Sequence, residues 1–166
     1  MNPISATEPD WTREECTAFW QPSKQMLKSL RRYQALDKEN SLIDKVASKW
    51  WTLSHRFWSV VCGCDIPLNC QIGGGLVLLH PNGVVIHPDA VIGPNCFILQ
   101  QVTIVSSVEI GGHVDIGAGA KIIRPIKIGD RARIGANAVV TKSIAAGATA
   151  AGIPAKIIKV TSLPQT

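Results

Sequence analysis

The residues best suited to chemistry lie in the stretch "LLHPNGVVIHP", residues 78–88. An imidazole changes charge near neutral pH, so His80 has the properties of a general base. Pro81 fixes φ and Gly83 tolerates positive φ, so His80-Pro81-Asn82-Gly83 reads as a bulged corner that lets the ring project. The other candidates are weaker. His87 and His113 read as surface residues, and His55 falls on a helix. Cys62-Gly63-Cys64 lacks the second cysteine pair of a structural metal site. Charge is also unevenly placed. Residues 62–115 carry Asp65, Asp89, Glu109 and Asp115 but no lysine or arginine, whereas residues 116–166 carry eight basic residues against Asp130 alone. That basic rear suits an anionic ligand; the alternative is a solvated surface.

The spacing around His80 says what positions it. Ile86, Ile92, Ile98, Ile104, Ile110, Ile116, Ile122, Ile128, Ile134 and Val140 recur every sixth residue, and a small or aliphatic residue follows each by four. Six residues turn an α-helix by about 600°, so no helix keeps such a series on one side. Short strands joined by tight corners do, which is a β-solenoid with coils stacked about 4.8 Å apart. Ile66, Ile72 and Leu78 keep the same step, but Leu78 to Ile86 is eight residues instead of six. The miscount falls on His80. By the same register Cys70 and Cys96 point inward as core residues.

The chain before the solenoid is written differently. Residues 1–61 hold all five tryptophans and no glycine, while residues 62–166 hold all fourteen glycines and no tryptophan. The expected organisation is therefore a helical region 1–61, a solenoid 62–160 and a tail 161–166. Thr12 to Glu15 has the pattern of a capping box. Pro22-Ser23 starts a second helix, and Ser41 with Asp44 starts a third. The third carries Val46, Trp50, Leu53, Phe57 and Val60 toward a common partner. These helices read as a cap and an oligomer contact.

Composition excludes several classes. No apolar run is long enough for a membrane span. The N-terminal residues include acids and lack an apolar signal core. A net charge of +5 without basic clusters interleaved with aromatics does not point to nucleic acid. Five cysteines at irregular spacing suggest reduced thiols and a cytoplasmic setting.

"IGGGLVLLHPNGVVIHPDAVIGPNC", "VDIGAGAKI", "IGDRARIGANAVV" and "AAGIPAKII" resemble the hexapeptide-repeat acyltransferases, most closely the serine acetyltransferase family. The resemblance implies a left-handed parallel β-helix with a small N-terminal α-helical cap, typically a homotrimer or a dimer of trimers. It implies acetyl-CoA as co-substrate, no metal, and transfer of acetyl to a small-molecule hydroxyl. "CDI", with the glycine-rich hexads after it, matches the segment holding the family's catalytic aspartate and histidine, which are here Asp65 and His80. A carboxylate on the second ring nitrogen would fix the tautomer and stabilise the imidazolium. Ala118, Arg133 and Ala136 match CoA-contacting positions. Lys156 joins them on electrostatic grounds, because CoA carries a pyrophosphate and a 3′-phosphate.

The chain departs from that family in three places. The aspartate that usually precedes the catalytic histidine is Leu79, the loop with "GGDRHP" is absent, and the helical cap is shorter. Serine O-acetylation, a step of cysteine biosynthesis, is the leading expectation. A sugar or polysaccharide hydroxyl is the alternative acceptor, and an inactive solenoid scaffold the non-enzymatic one.

Overall fold

The computed structural model describes residues 4–36 and 41–161. Of the tail expected at 161–166, all but Thr161 lies outside these residues. Parallel strands wind into three faces. The first face stacks β1 (Gln71–Ile72), β4 (Val91–Ile92), β7 (Glu109–Ile110) and β10 (Lys127–Ile128). The second stacks β2 (Val77–Leu78), β5 (Phe97–Ile98), β8 (Asp115–Ile116), β11 (Arg133–Ile134), β13 (Ala148–Ala151) and β14 (Lys156–Val160). The third stacks β3 (Val85–Ile86), β6 (Thr103–Ile104), β9 (Lys121–Ile122) and β12 (Val139–Val140).

The sequence dictates this winding locally. Strands β1 to β12 are two residues long, one pointing out and the hexad aliphatic pointing in. All ten hexad aliphatics from Ile86 to Val140 are buried, as are Cys70 and Cys96. Full burial of one isoleucine contributes about 1.5–3 kcal/mol, so the stacked column is the main source of stability. Corners follow where the chain takes left-handed geometry. Asn95, Gln101, Ser107, His113, Arg131 and Asn137 all have φ between 54° and 61°. Asparagine bears this conformation well, and the other side chains are held in it by the coils above and below.

The miscount is visible in the register. Val85 pairs with Thr103, and Val91 with Glu109, each 18 residues on. Across the irregular corner Gln71 pairs with Val91, and Val77 with Phe97, each 20 residues on. Two residues are thus extruded between β2 and β3 while both strands keep their places.

Two helices precede the solenoid, α1 (Pro22–Leu36) and α2 (Leu42–Cys62). The first closes the open lower end of the stack, whose first coil has no coil beneath it. The Arg31 guanidinium donates to the carbonyls of Ile72 (2.5 Å) and Gly73 (2.8 Å). Gln34 Nε2 donates to the carbonyls of Leu68 and Cys70 (both 2.9 Å). Glu14 accepts from Leu76 N–H (3.0 Å) and pairs with Arg31 (2.9 Å). Met26, Leu27, Leu30 and Trp58 extend the same core that begins with Ile66. At the other end β14 covers β13 in antiparallel register.

Two expectations about the helices need correction. Thr12 is not a helix cap. Asp10 caps a single 3₁₀ turn, Trp11–Glu14, by accepting from Thr12 N–H, and Glu14 is drawn to the solenoid end. Helix α2 does start at Ser41, which accepts from Asp44 N–H (3.1 Å). Its apolar stripe, however, faces outward: Val46, Trp50, Leu53, Phe57 and Val60 are all exposed. Helix α1 packs on the opposite side, against Ser54 and Trp58, where Ser29 and Ser54 share a hydrogen bond of 2.8 Å.

Sequence patterning did not show what holds residues 4–13. They run along the edge between the first and second faces, over Asn95. This residue is wholly buried. Its side chain accepts from Asp10 N–H (2.8 Å) and donates to the carbonyls of Ser5 (2.9 Å) and Glu8 (2.7 Å). Gly112 leaves the room, since a Cβ there would stand 1.7 Å from the Ala6 carbonyl oxygen. Asn95→Ala removes all three side-chain bonds and is expected to destabilise the fold by about 3 kcal/mol. Thermal denaturation measures that loss, and limited proteolysis should show residues 4–13 released before the solenoid unfolds.

Candidate active site

The edge joining the second face to the third carries three of the residues singled out for chemistry, His80, Ala118 and Ala136. An unbroken ladder climbs it. Gly83 N–H donates to Gly63 O (2.7 Å), Gln101 to Asn82 (2.9 Å), Gly119 to Gln100 (2.8 Å), Asn137 to Ala118 (2.8 Å) and Val139 to Gly152 (3.0 Å). His80 opens this edge near its base, Ala118 and Ala136 stack above it, and the loop leading to Lys156 completes the top.

His80 is exposed and has a φ of 51°. It lines a cleft of about 410 Å³ between the irregular corner and the helical cap. Leu79, Pro81 and Asn82 form one wall; Pro22, Ser23, Val61 and Cys62 form the other. The local cause is the extruded pair of residues. With Gly83 at φ 71°, the chain returns to the stack and Val84 resumes the core. Gly63, the left-handed cap of α2, seats the corner from below, and a Cβ on it would lie 2.6 Å from Asn82 Nδ2. The cap side of the cleft was not legible from spacing, because it depends on how α1 and α2 fold back.

Asp65 begins the third face one coil below. Its N–H donates to Val84 O (2.8 Å) and its carbonyl accepts from Ile86 N–H (3.0 Å). Its carboxylate is exposed, and among the described residues no ion pair or hydrogen bond joins it to His80. The structure therefore brings His80 to the cleft, and no hydrogen bond or ion pair joins Asp65 to it.

Arg133 lies on the outer side of β11, with Nε 3.5 Å from the Asp115 carboxylate. Lys156 is exposed at the start of β14. Part of the basic rear is already neutralised within the chain, since Lys127 pairs with Glu109 at 2.7 Å. Lys121 was not singled out by sequence, yet its Nζ donates to the Gln101 carbonyl (2.6 Å) beside the candidate edge. The stacking of position 121 over 103 is the pattern that marks it.

The remaining histidines have other partners. His55 is buried, with Nε2 2.8 Å from the Ile66 carbonyl, and ties α2 to the first coil. His87 lies 3.5 Å from Asp89. His113 Nδ1 accepts from Arg131 Nη1 (3.1 Å) on the edge opposite the cleft's face. Near the cleft, the Cys62 thiol is held below the usual range by its hydrogen bond with Cys64, whose own thiol is pushed up. The described residues contain no group of three or more His, Cys, Asp or Glu side chains placed to hold a metal.

Burial pushes the pKa of His113 below that of ordinary histidine; Asp115 opposes the shift and Arg131 adds to it. The unfolded chain therefore binds a proton near pH 6.5 that the folded chain refuses. This contribution to stability is full above about pH 6.5 and is lost as the pH falls below it. His113→Asn, which suits the positive φ, should flatten that acid-side loss in denaturation midpoints measured across pH.

Comparison with known proteins bears on the sequence and the fold. Residues 89–124 and 107–142 match the family described as Bacterial transferase hexapeptide (six repeats). Serine acetyltransferase of Escherichia coli (strain K12) is 41% identical over 108 residues, 60% of this chain and 40% of that protein. Soybean serine acetyltransferase complexed with serine superposes with a TM-score of 0.69 at 30% identity, covering 84% of this chain and 58% of that one. A serine acetyltransferase complexed with CoA gives 0.69 at 32% identity, covering 84% and 57%. The chain thus spans only about two fifths of the E. coli relative. The chain is thus similar in sequence and in fold to serine acetyltransferases, and residues 89–142 match the hexapeptide-repeat transferase family.

Proposed function

We propose that the chain is an acetyl-CoA-dependent O-acetyltransferase, with serine as the leading acceptor. One observation carries the reading most directly. A single edge presents an exposed imidazole beside a cleft and, on the coils above it, the small residues Ala118 and Ala136. Small side chains let a pantetheine arm approach backbone N–H and C=O groups.

In this mechanism His80 takes the proton of the acceptor hydroxyl as the oxygen attacks the thioester carbonyl. The carbon–sulfur bond then breaks, and the imidazolium returns the proton to the leaving thiolate. No acyl-enzyme is formed. Asp65 acts on the histidine as an orienting charge from the coil below. Arg133 and Lys156 hold the phosphates of CoA. The assembly is a homotrimer. A cytoplasmic setting fits five free thiols.

One feature favours a second acceptor class. Among the described residues the cleft lining includes Leu79 and no carboxylate, so none of them meets the ammonium of an amino acid. A sugar hydroxyl needs no such counter-charge. Thioester consumption with acetyl-CoA across amino acids and sugars separates the two, and turnover with serine at millimolar concentration decides for the first.

His80→Ala should lower acetyl transfer by a factor on the order of 10² to 10⁴ while CoA binding survives, and Asp65→Asn should cost less. Equal turnover in the alanine variant would remove His80 from the mechanism. CoA affinity should also fall with added salt and with Arg133→Glu or Lys156→Glu, as calorimetry would show. Binding indifferent to salt would discredit the phosphate assignment.

A further inference from the structure

Helix α2 presents an apolar face that none of the described residues covers. Ile43, Val46, Trp50, Leu53, Phe57 and Val60 are each between 55% and 82% exposed. At about 100° per residue they fill an arc of roughly 100° along the full length of the helix. Lys45, Lys49 and Arg56 are exposed as well and form a row along one flank of that arc. The helix has one carboxylate, Asp44, on the side turned away from the arc and close to the N-cap. Aromatic groups continue the face beyond the helix. Phe19 and Trp20, 76% and 66% exposed, stand edge-on to Trp58 at 6.0 and 5.7 Å, beside Phe57.

We propose that this face docks the protein on an anionic lipid surface, with α2 lying in the plane of the interface. Apolar side chains would enter the acyl boundary while the cationic row meets lipid phosphates, the arrangement of interfacial amphipathic helices. Indole rings suit that boundary because they are apolar over most of their area and polar at one edge. No helix of the described residues is long and apolar enough to cross a membrane, so the contact is peripheral.

A second copy of the chain fits the face less well. The spacing 43, 46, 50, 53, 57, 60 would serve a coiled-coil seam, but Trp50 and Phe57 are poor knobs for the holes of a paired helix. A second copy would also bring the cationic row another cationic row, or the neutral flank of Ala47 and Ser54. Charge asks for an anionic occupant. Val61, next to this face, also lines the cleft beside His80, so docking would set the cleft at the lipid surface. The inference does not depend on acetyl transfer.

Flotation of the full chain with vesicles tests it. Vesicles of phosphatidylglycerol and phosphatidylethanolamine in equal parts should carry the protein upward at low salt. Pure phosphatidylcholine vesicles should bind at least about tenfold less. Lys45, Lys49 and Arg56 changed together to Glu should lower partitioning on the order of 10²-fold, and Leu53→Glu should abolish it. These positions are exposed, and an unchanged circular dichroism spectrum checks the fold of each variant. Absence of flotation, or equal flotation of Leu53→Glu, overturns the proposal. If flotation fails while Leu53→Glu reduces the mass seen by light scattering, a second copy covers the face. If neither changes, a different protein does. Both outcomes count against lipid.

Discussion

The hydrogen bonds that hold this molecule together run from coil to coil, so each residue finds its partner at a fixed distance along the chain. Within such a stack a strand cannot slip by one residue without turning its aliphatic side chain to solvent. Extra residues can be placed only at a corner. The two surplus residues between β2 and β3 obey that rule: the partners of Val77 and Gln71 shift to 20 residues, while every inward side chain keeps its place. A side chain such as that of His80 can therefore be raised off a rigid column without disturbing the core beneath it.

The same constraint makes the ends of the stack the vulnerable parts. A first coil exposes a row of unpaired backbone groups, and polar side chains from the helical cap occupy them. Arg31 and Gln34 supply donors to four carbonyls, and Glu14 accepts the N–H of Leu76. These contacts also fix where α1 and α2 sit, and so they shape the outer wall of the cleft at His80. Stability at the base of the column and geometry at the candidate site share one set of interactions.

How far the sequence could be read follows from which interactions are periodic. The hexads from Ile86 to Val140, the inward Cys70 and Cys96, and the irregular corner at His80 were all visible, because repetition places each residue relative to its neighbours. Non-repeating contacts were not. Thr12 to Glu15 has the letters of a capping box, but Glu14 bonds to the solenoid and Asp10 takes the cap. The stripe on α2 has helical spacing, and spacing alone cannot tell an inner face from an outer one; His55, Trp58 and Cys62 turned out to be the buried side. Asn95 looks like one corner asparagine among several, although it anchors the N-terminal segment. At the site, the 18-residue spacing put Ala118 and Ala136 at equivalent corners, whereas contact between Asp65 and His80 is a matter of side-chain direction that no repeat specifies.

The central claim is that one edge of the column carries both the base and the path of the acyl carrier. A crystal structure of the full chain with CoA bound tests it most directly. The account predicts the pantetheine arm along the Ala118 and Ala136 corners, its thiol pointing toward the cleft and within about 3–4 Å of the His80 ring or of a water bonded to it. CoA lying along either of the other two edges, or a thiol directed away from His80, would contradict it.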